Sequence, residues 1–200
     1  MVGDRPSVLV VDDEPDLVEL YAAHLEDDYE VFTATSGEAA LDVLDDRRVD
    51  VVLLDRRMPD LGGDAVLDRI RARGLRCRVA LVTALDPEFD ILGLGLDAYF
   101  AKPVSRDELR GTVSALLART EYESRLQELF ALLSKRAVLE ATKPRVELEA
   151  SDEFADLEAR IAEVRATTDR LVDDFDEADY AAAFRDVDGV RSGGPGVEEP

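Results

Sequence analysis

Five residues carry chemistry, and each directly follows or closes a short apolar run. Asp12 and Asp13 follow VLVV, Asp55 follows VVLL, Thr83 follows VALV, and Lys102 follows AYFA. Any one of them alone, in a chain with 46 acidic residues, reads as a solvated acid or a turn residue. Together they mean more. Three carboxylates cannot all stay ionised at close range without a cation or a raised pKa. Hard oxygen ligands suit Mg²⁺, which keeps several waters and is often shared with substrate phosphates. A lysine ammonium and a threonine hydroxyl near the same point would hold oxygens that the metal leaves free. Such a set is built for a phosphoryl group rather than for hydrolysis of a neutral substrate. Asp55 is central and is the expected nucleophile, forming an acyl phosphate.

The elements that must position these residues alternate between apolar runs and amphipathic stretches over the first 104 residues, the pattern of a parallel βαβ sheet. The spacing predicts strands at Ser7–Val11, Glu30–Thr33, Val51–Leu54, Val79–Val82 and Ala98–Phe100. Helices are predicted at Pro15–Glu26, Gly37–Arg47, Gly63–Ala72 and about Pro87–Leu94. VVLL and VALV are apolar on both faces, as in central strands covered on two sides. Five strands with intervening helices fit an α/β, flavodoxin-like, doubly wound five-stranded parallel sheet of order 2-1-3-4-5. In such a sheet the ligand site lies beyond the carboxyl ends of the strands, where all five residues fall.

Beyond the sheet the chain turns helical. Ser105 and Glu108 form an S-x-x-E capping box just after Pro103, and the helix they open is predicted to run from Arg106 to about Lys143. If wholly helical it extends about 57 Å. Tyr122, Leu126, Leu129 and Leu133 make a stripe on it. Pro144 interrupts, and a second helix is predicted from near Ser151, with the stripe Phe154, Leu157, Ile161, Val164, Thr168, Leu171, Phe175. Two arrangements fit these stripes: an antiparallel hairpin within one chain, or a coiled coil with another chain. The domain organisation expected is 1–119, 120–187 as a helical coiled-coil or hairpin domain, and a disordered tail at 188–200.

Composition removes several functions. The chain carries 24 basic and 46 acidic residues, net −22. Residues 1–119 hold 14 basic and 25 acidic groups and residues 120–200 hold 10 and 21, so each part carries −11. That charge repels nucleic-acid phosphates and anionic lipid, and no basic recognition helix or zinc-finger spacing relieves it, so DNA binding is not expected. Only Lys102, Lys135 and Lys143 are lysines, and Asp is abundant. Such a composition fits a protein kept soluble at high salt, or an acidic protein from a GC-rich genome. One cysteine, Cys77, and one histidine, His24, leave no disulfide and little for a His-based centre. There are no P-loop glycines, hence no kinase. No apolar run is long enough for a bilayer, and MVGDRPSV is no signal peptide, so a cytoplasmic protein without membrane insertion is expected.

The segments VLVVDDEPD, VVLLDRRMPDLGG, VALVTA and DAYFAKPV resemble the receiver domain of two-component response regulators, in order and in separation, over residues 7 to about 119. The resemblance implies that Asp55 accepts a phosphoryl group from a histidine kinase. It implies Asp13 as a direct Mg²⁺ ligand, Asp12 as one acting through water, and Arg57 as the donor of a backbone carbonyl. Thr83 becomes the switch hydroxyl, Lys102 the phosphate-contacting cation, and Tyr99 the aromatic switch, where an ordinary half-buried strand aromatic is the alternative. The Lys102–Pro103 bond is expected to be cis. GLGLDAYF departs from the usual GADDY, with Leu96 in place of a polar residue. A receiver turns over no substrate beyond its own phosphorylation and autodephosphorylation. A Mg²⁺-dependent small-molecule phosphatase would also use an Asp nucleophile, but the Asp-x-Asp pair it needs is broken by Arg57. Residues 120–187 resemble the HalX domain that follows receivers in halophilic archaea. What that helical part does is left open between self-association as a homodimer and direct DNA contact by a transcriptional regulator.

Overall fold

The computed structural model describes residues 5–84 and 94–174. The helix predicted at about Pro87–Leu94 and the tail from residue 188 lie outside the described residues, apart from Leu94. The chain divides into two units, one of residues up to Leu117 and one beginning at Ala118.

In the first unit, β1 (Ser7–Val11), β2 (Glu30–Ala34), β3 (Val51–Leu54), β4 (Arg78–Thr83) and β5 (Ala98–Ala101) form one parallel sheet of order β2-β1-β3-β4-β5. The register aligns Val11 with Ala34 on one side and with Leu54 on the other, then Leu54 with Leu81, and Thr83 with Ala101. The residues just past these positions therefore meet at one edge. β1 and β3 are buried along their whole length, as strands apolar on both faces must be.

Helices α1 (Pro15–Leu25), α2 (Gly37–Asp46) and α3 (Gly63–Ala72) separate the strands. α1 starts on a proline, whose missing N–H is no loss there, and buries Val18, Tyr21 and Leu25 at 3- and 4-residue spacing. Ser36 caps α2 by accepting the N–H of Ala39 at 3.2 Å. Two apolar clusters lie on the sheet's two faces: Leu9, Val52, Leu54 and Leu81 with α2 and α3, and Val8, Val10, Leu53 and Val82 with α1 and the first turns of α4 (Arg106–Thr142).

α4 is one helix of 37 residues. Its capping box forms as its sequence requires, with Ser105 N–H donating to Glu108 Oε2 at 2.9 Å and Glu108 N–H to Ser105 Oγ at 3.3 Å. In the second unit, Pro144 is followed by α5 (Arg145–Glu149), a short helix that the stripes did not announce. α6 (Asp152–Asp174) begins on Ser151, whose hydroxyl accepts the Phe154 N–H at 3.1 Å. Arg160 donates to Glu128 Oε1 at 2.9 and 2.6 Å, and Arg136 lies 3.5 Å from Glu158. These pairs join α4 to α6 antiparallel within one chain, the hairpin arrangement of the two that the stripes allowed. Ile161, Val164 and Thr168 are the buried centre of the α6 stripe, and the Thr168 hydroxyl donates to Val164 O at 2.9 Å.

Candidate functional site

The strand ends gather what the sequence assigned to them. Asp12 (2% exposed), Asp55 (5%) and Thr83 (1%) are buried, each polar and each at the carboxyl edge of its strand. Lys102 Nζ lies 2.6 Å from Asp12 Oδ2 and 3.2 Å from Asp55 Oδ1, one ammonium bridging two buried carboxylates. Backbone amides hold the remaining oxygens. Glu14 N–H donates to Asp12 Oδ1 at 3.0 Å, and Arg57 N–H to Asp55 Oδ2 at 2.9 Å. Each carboxylate is thus fixed from two directions, as a buried charge must be.

Lys102 is placed by β5 and by the bond that follows it. Its own N–H donates to Thr83 O at 2.8 Å, continuing the β4–β5 ladder one step past the strand, and the Lys102–Pro103 peptide is cis. Tyr99 is half-buried in β5; its register partner is Leu81, so it shares a face with Leu81 and, two residues on, Thr83.

Of the three strand-end carboxylates the structure buries two, Asp12 and Asp55. Asp13 is exposed, Lys102 sits between Asp12 and Asp55, and among the described residues no three acidic, His or Cys side chains are gathered as metal ligands. Strand-end position fixes a residue to an edge but not its side-chain direction. The donors fit a divalent metal of the Mg²⁺ kind: they are hard oxygens, two of the carboxylates buried and paired with a single ammonium, with a third carboxylate adjacent in sequence.

Electrostatics follow from this packing. Burial pushes the Asp55 carboxyl above its usual range and nearby Asp12 adds to that, while Lys102 and the Arg57 N–H pull it back; the net is upward. For Lys102, burial pulls down, but the hydrogen bond to Asp12 and the charge of Asp55 outweigh it and hold the ammonium on.

Several contributors were not anticipated. Tyr21 on α1 is buried and its phenol oxygen accepts the Val104 N–H, just past Pro103; burial raises its pKa. Its place in the apolar period of α1 gave it the look of a core residue only. Arg56 clasps Asp64 at 3.0 and 3.1 Å, tying the loop after Asp55 to α3. Gly63, whose N–H donates to Arg56 O at 2.9 Å, has no room for a side chain: a Cβ there would lie 2.3 Å from Asp55 O. The GlyGly pair after MPDL was the available signal for that approach.

Residues 8–114 match the family model for the response regulator receiver domain, and residues 118–184 match that for the HalX domain. This chain belongs to the response regulators. A putative transcriptional regulator of Haloferax volcanii is 49% identical over 160 residues, covering 80% of this chain and 27% of that protein. The alkaline phosphatase synthesis transcriptional regulatory protein PhoP of Bacillus subtilis is 39% identical over 126 residues, 61% of this chain and 52% of that one. The response regulator thus spans about half, or less, of the curated relatives it matches. Among solved structures, a Francisella response regulator receiver domain is similar with TM-score 0.55 and 32% identity, covering 57% of this chain and 98% of its own. The Thermotoga maritima response regulator TrrA, in complex with Mg²⁺ and BeF, is similar with TM-score 0.51 and 35% identity, covering 56% and 98%. Among the described residues no helix of this response regulator is long and apolar enough to cross a membrane.

Proposed function

We propose that the chain is the phosphorylated switch of a two-component relay, taking a phosphoryl group on Asp55 from a phosphohistidine of a histidine kinase. The observation that carries this is the Lys102 bridge between Asp12 and Asp55, which sets a nucleophilic carboxylate, a cation and a second acid at one strand edge. Asp55 Oδ1 attacks phosphorus as the P–N bond to the donor histidine breaks; the bonding pair leaves with a ring whose other nitrogen carries a proton, giving an acyl phosphate and a neutral imidazole. Arg57 N–H holds Asp55 Oδ2, so that the other oxygen faces the donor. Lys102 then pairs with a phosphoryl oxygen, and the Thr83 hydroxyl donates to another. Asp12, Asp13, Asp55 and the Arg57 carbonyl would hold Mg²⁺, whose chemistry there is to neutralise charge on the transferring oxygens. Tyr99, on the face of Thr83, moves with it.

Residues 1–119 act as the receiver and residues 120–187 as its output, in the cytoplasm. α4 contributes residues to both units, so a change imposed on its first turns has a covalent route into the second. The output changes self-association. The chain's own reactions end at phosphorylation and autodephosphorylation.

The test is acetyl phosphate with Mg²⁺, read by mass spectrometry for a base-labile adduct of about 80 Da, one HPO₃. Wild type should gain it and Asp55→Asn should not; equal uptake by both would remove Asp55 from the reading. A second reading, a DNA-contacting output, is favoured by the Haloferax volcanii relative being called a transcriptional regulator. A sequence-dependent gel shift that survives high salt would select it.

A further inference from the structure

The face of α4 turned away from α6 is exposed and free of charge. Glu128 and Arg136 pair with α6 and so mark its side. At about 100° per residue, the opposite side carries Gln127, Phe130, Ala131, Ser134, Val138 and Ala141. Five of these, all but Phe130, step by 4, 3, 4 and 3, a heptad seam with Phe130 on its flank. All six are exposed, Phe130 by 66% and Val138 by 62%. In a chain 35% charged, none of them carries a charge. Its one hydroxyl is already satisfied: Ser134 Oγ donates to Phe130 O at 2.8 Å. Thr142 at the end of the strip does the same to Val138 O at 2.8 Å. Burying this seam therefore strands no hydroxyl, and a single amide, Gln127, is left to find a partner.

We infer that a second copy of this chain docks on the α4 seam, antiparallel about a two-fold axis at Ser134. The inference rests on the reading of the helical half as a self-associating output and gives that output its surface. The seam is self-complementary, as an isologous contact requires. Phe130 and Val138 stand four residues either side of Ser134, so each Phe130 meets the other copy's Val138, and Gln127 meets Ala141 seven residues out. The apolar run that follows α6 ends too soon to fill the seam as a helix. Arg160 stands opposite Glu128 and Glu158 opposite Arg136, so Asp174 lies about 20–30 Å along the axis from Ser134. The last bulky apolar run after it, Tyr180–Phe184, ends ten residues on, a helical reach of about 15 Å. At net −22 two copies repel each other, so the contact strengthens with salt, which screens that charge and favours apolar burial.

The experiment uses the full chain in molar KCl, with and without Mg²⁺ and beryllofluoride, and reads mass by light scattering over a concentration series. Wild type should reach twice the monomer mass in at least one state. Phe130→Glu and Val138→Glu should each stay at monomer mass while keeping wild-type circular dichroism and the Asp55 adduct. Maleimide cross-linking fixes the register: Cys77 is buried, and a tagged Phe130→Cys chain should join an untagged Val138→Cys chain. A wild type monomeric in both states overturns the proposal. So does a dimer indifferent to both glutamates, a dimer gained only after removing residues 175–200, or Phe130→Cys joining only its own kind. Loss of the adduct with the dimer intact would instead strike the phosphorylation reading and leave the seam standing.

Discussion

Lys102 is the residue on which the site's stability turns. Two buried carboxylates share its ammonium at 2.6 and 3.2 Å. Lys102→Met leaves them uncompensated, and breaking a buried pair in this way costs about 3–5 kcal/mol. Chemical denaturation should show that loss without divalent metal, and much of it should return as Mg²⁺ is added, because a ligand bound only by the folded state stabilises it. Asp55 gives a pH test. Its folded pKa lies above the ordinary 3.8, so the fold disfavours its ionised form. That penalty is present above the folded value and gone below the ordinary one. Asp55→Asn should therefore raise the melting temperature at neutral pH, by on the order of 1 kcal/mol of stability. The gain should fade as pH drops toward 3.8; an Asn variant less stable than wild type at neutral pH would contradict it. The sequence made this site legible because five strand-end residues of complementary type are improbable without a shared task. It did not disclose that Asp13 is exposed where Asp12 is buried, or that Tyr21 reaches Val104, since both depend on packing that spacing leaves free.

Two glycines separate local propensity from packing among the elements. Gly111 lies within α4, and a Cβ added there meets nothing within 4 Å. Gly111→Ala should stabilise by about 0.5–1 kcal/mol, since alanine loses less freedom in a helix. Gly63→Ala should do the reverse, because its Cβ would press on Asp55 O at 2.3 Å and on Arg56 Cα at 2.8 Å. A loss of about 1–3 kcal/mol is expected, together with slower phosphorylation, as the Asp55–Arg56 backbone shifts. Thermal melts and adduct rates on both variants check the pair. The starts of α4 and α6 were readable from their caps: Ser105 and Ser151 each do in the structure what their type allows. α5 was not readable, because its five residues are too few to show a period. The choice of hairpin over intermolecular coil was not readable either, since the stripes fit both, and cross-helix pairs such as Arg160–Glu128 settle it.

Charge acts on the molecule as a whole. Net −22 destabilises any compact state through self-repulsion that salt relieves. Melting temperature should climb with KCl well beyond the concentration that saturates single surface pairs, and an equally concentrated neutral osmolyte should not reproduce the whole rise. The length of α4 imposes a further condition on the molecule. Because α4 is one helix of 37 residues, its own side-chain stripes share one period from end to end. Each residue inserted near its middle turns the later side chains of α4 by about 100° from the earlier ones and advances them by about 1.5 Å. Two inserted residues would carry a stripe almost half a turn round the helix, whereas seven return it to within about 20°. The stripes of α4 therefore tolerate lengthening only in steps that restore the angle.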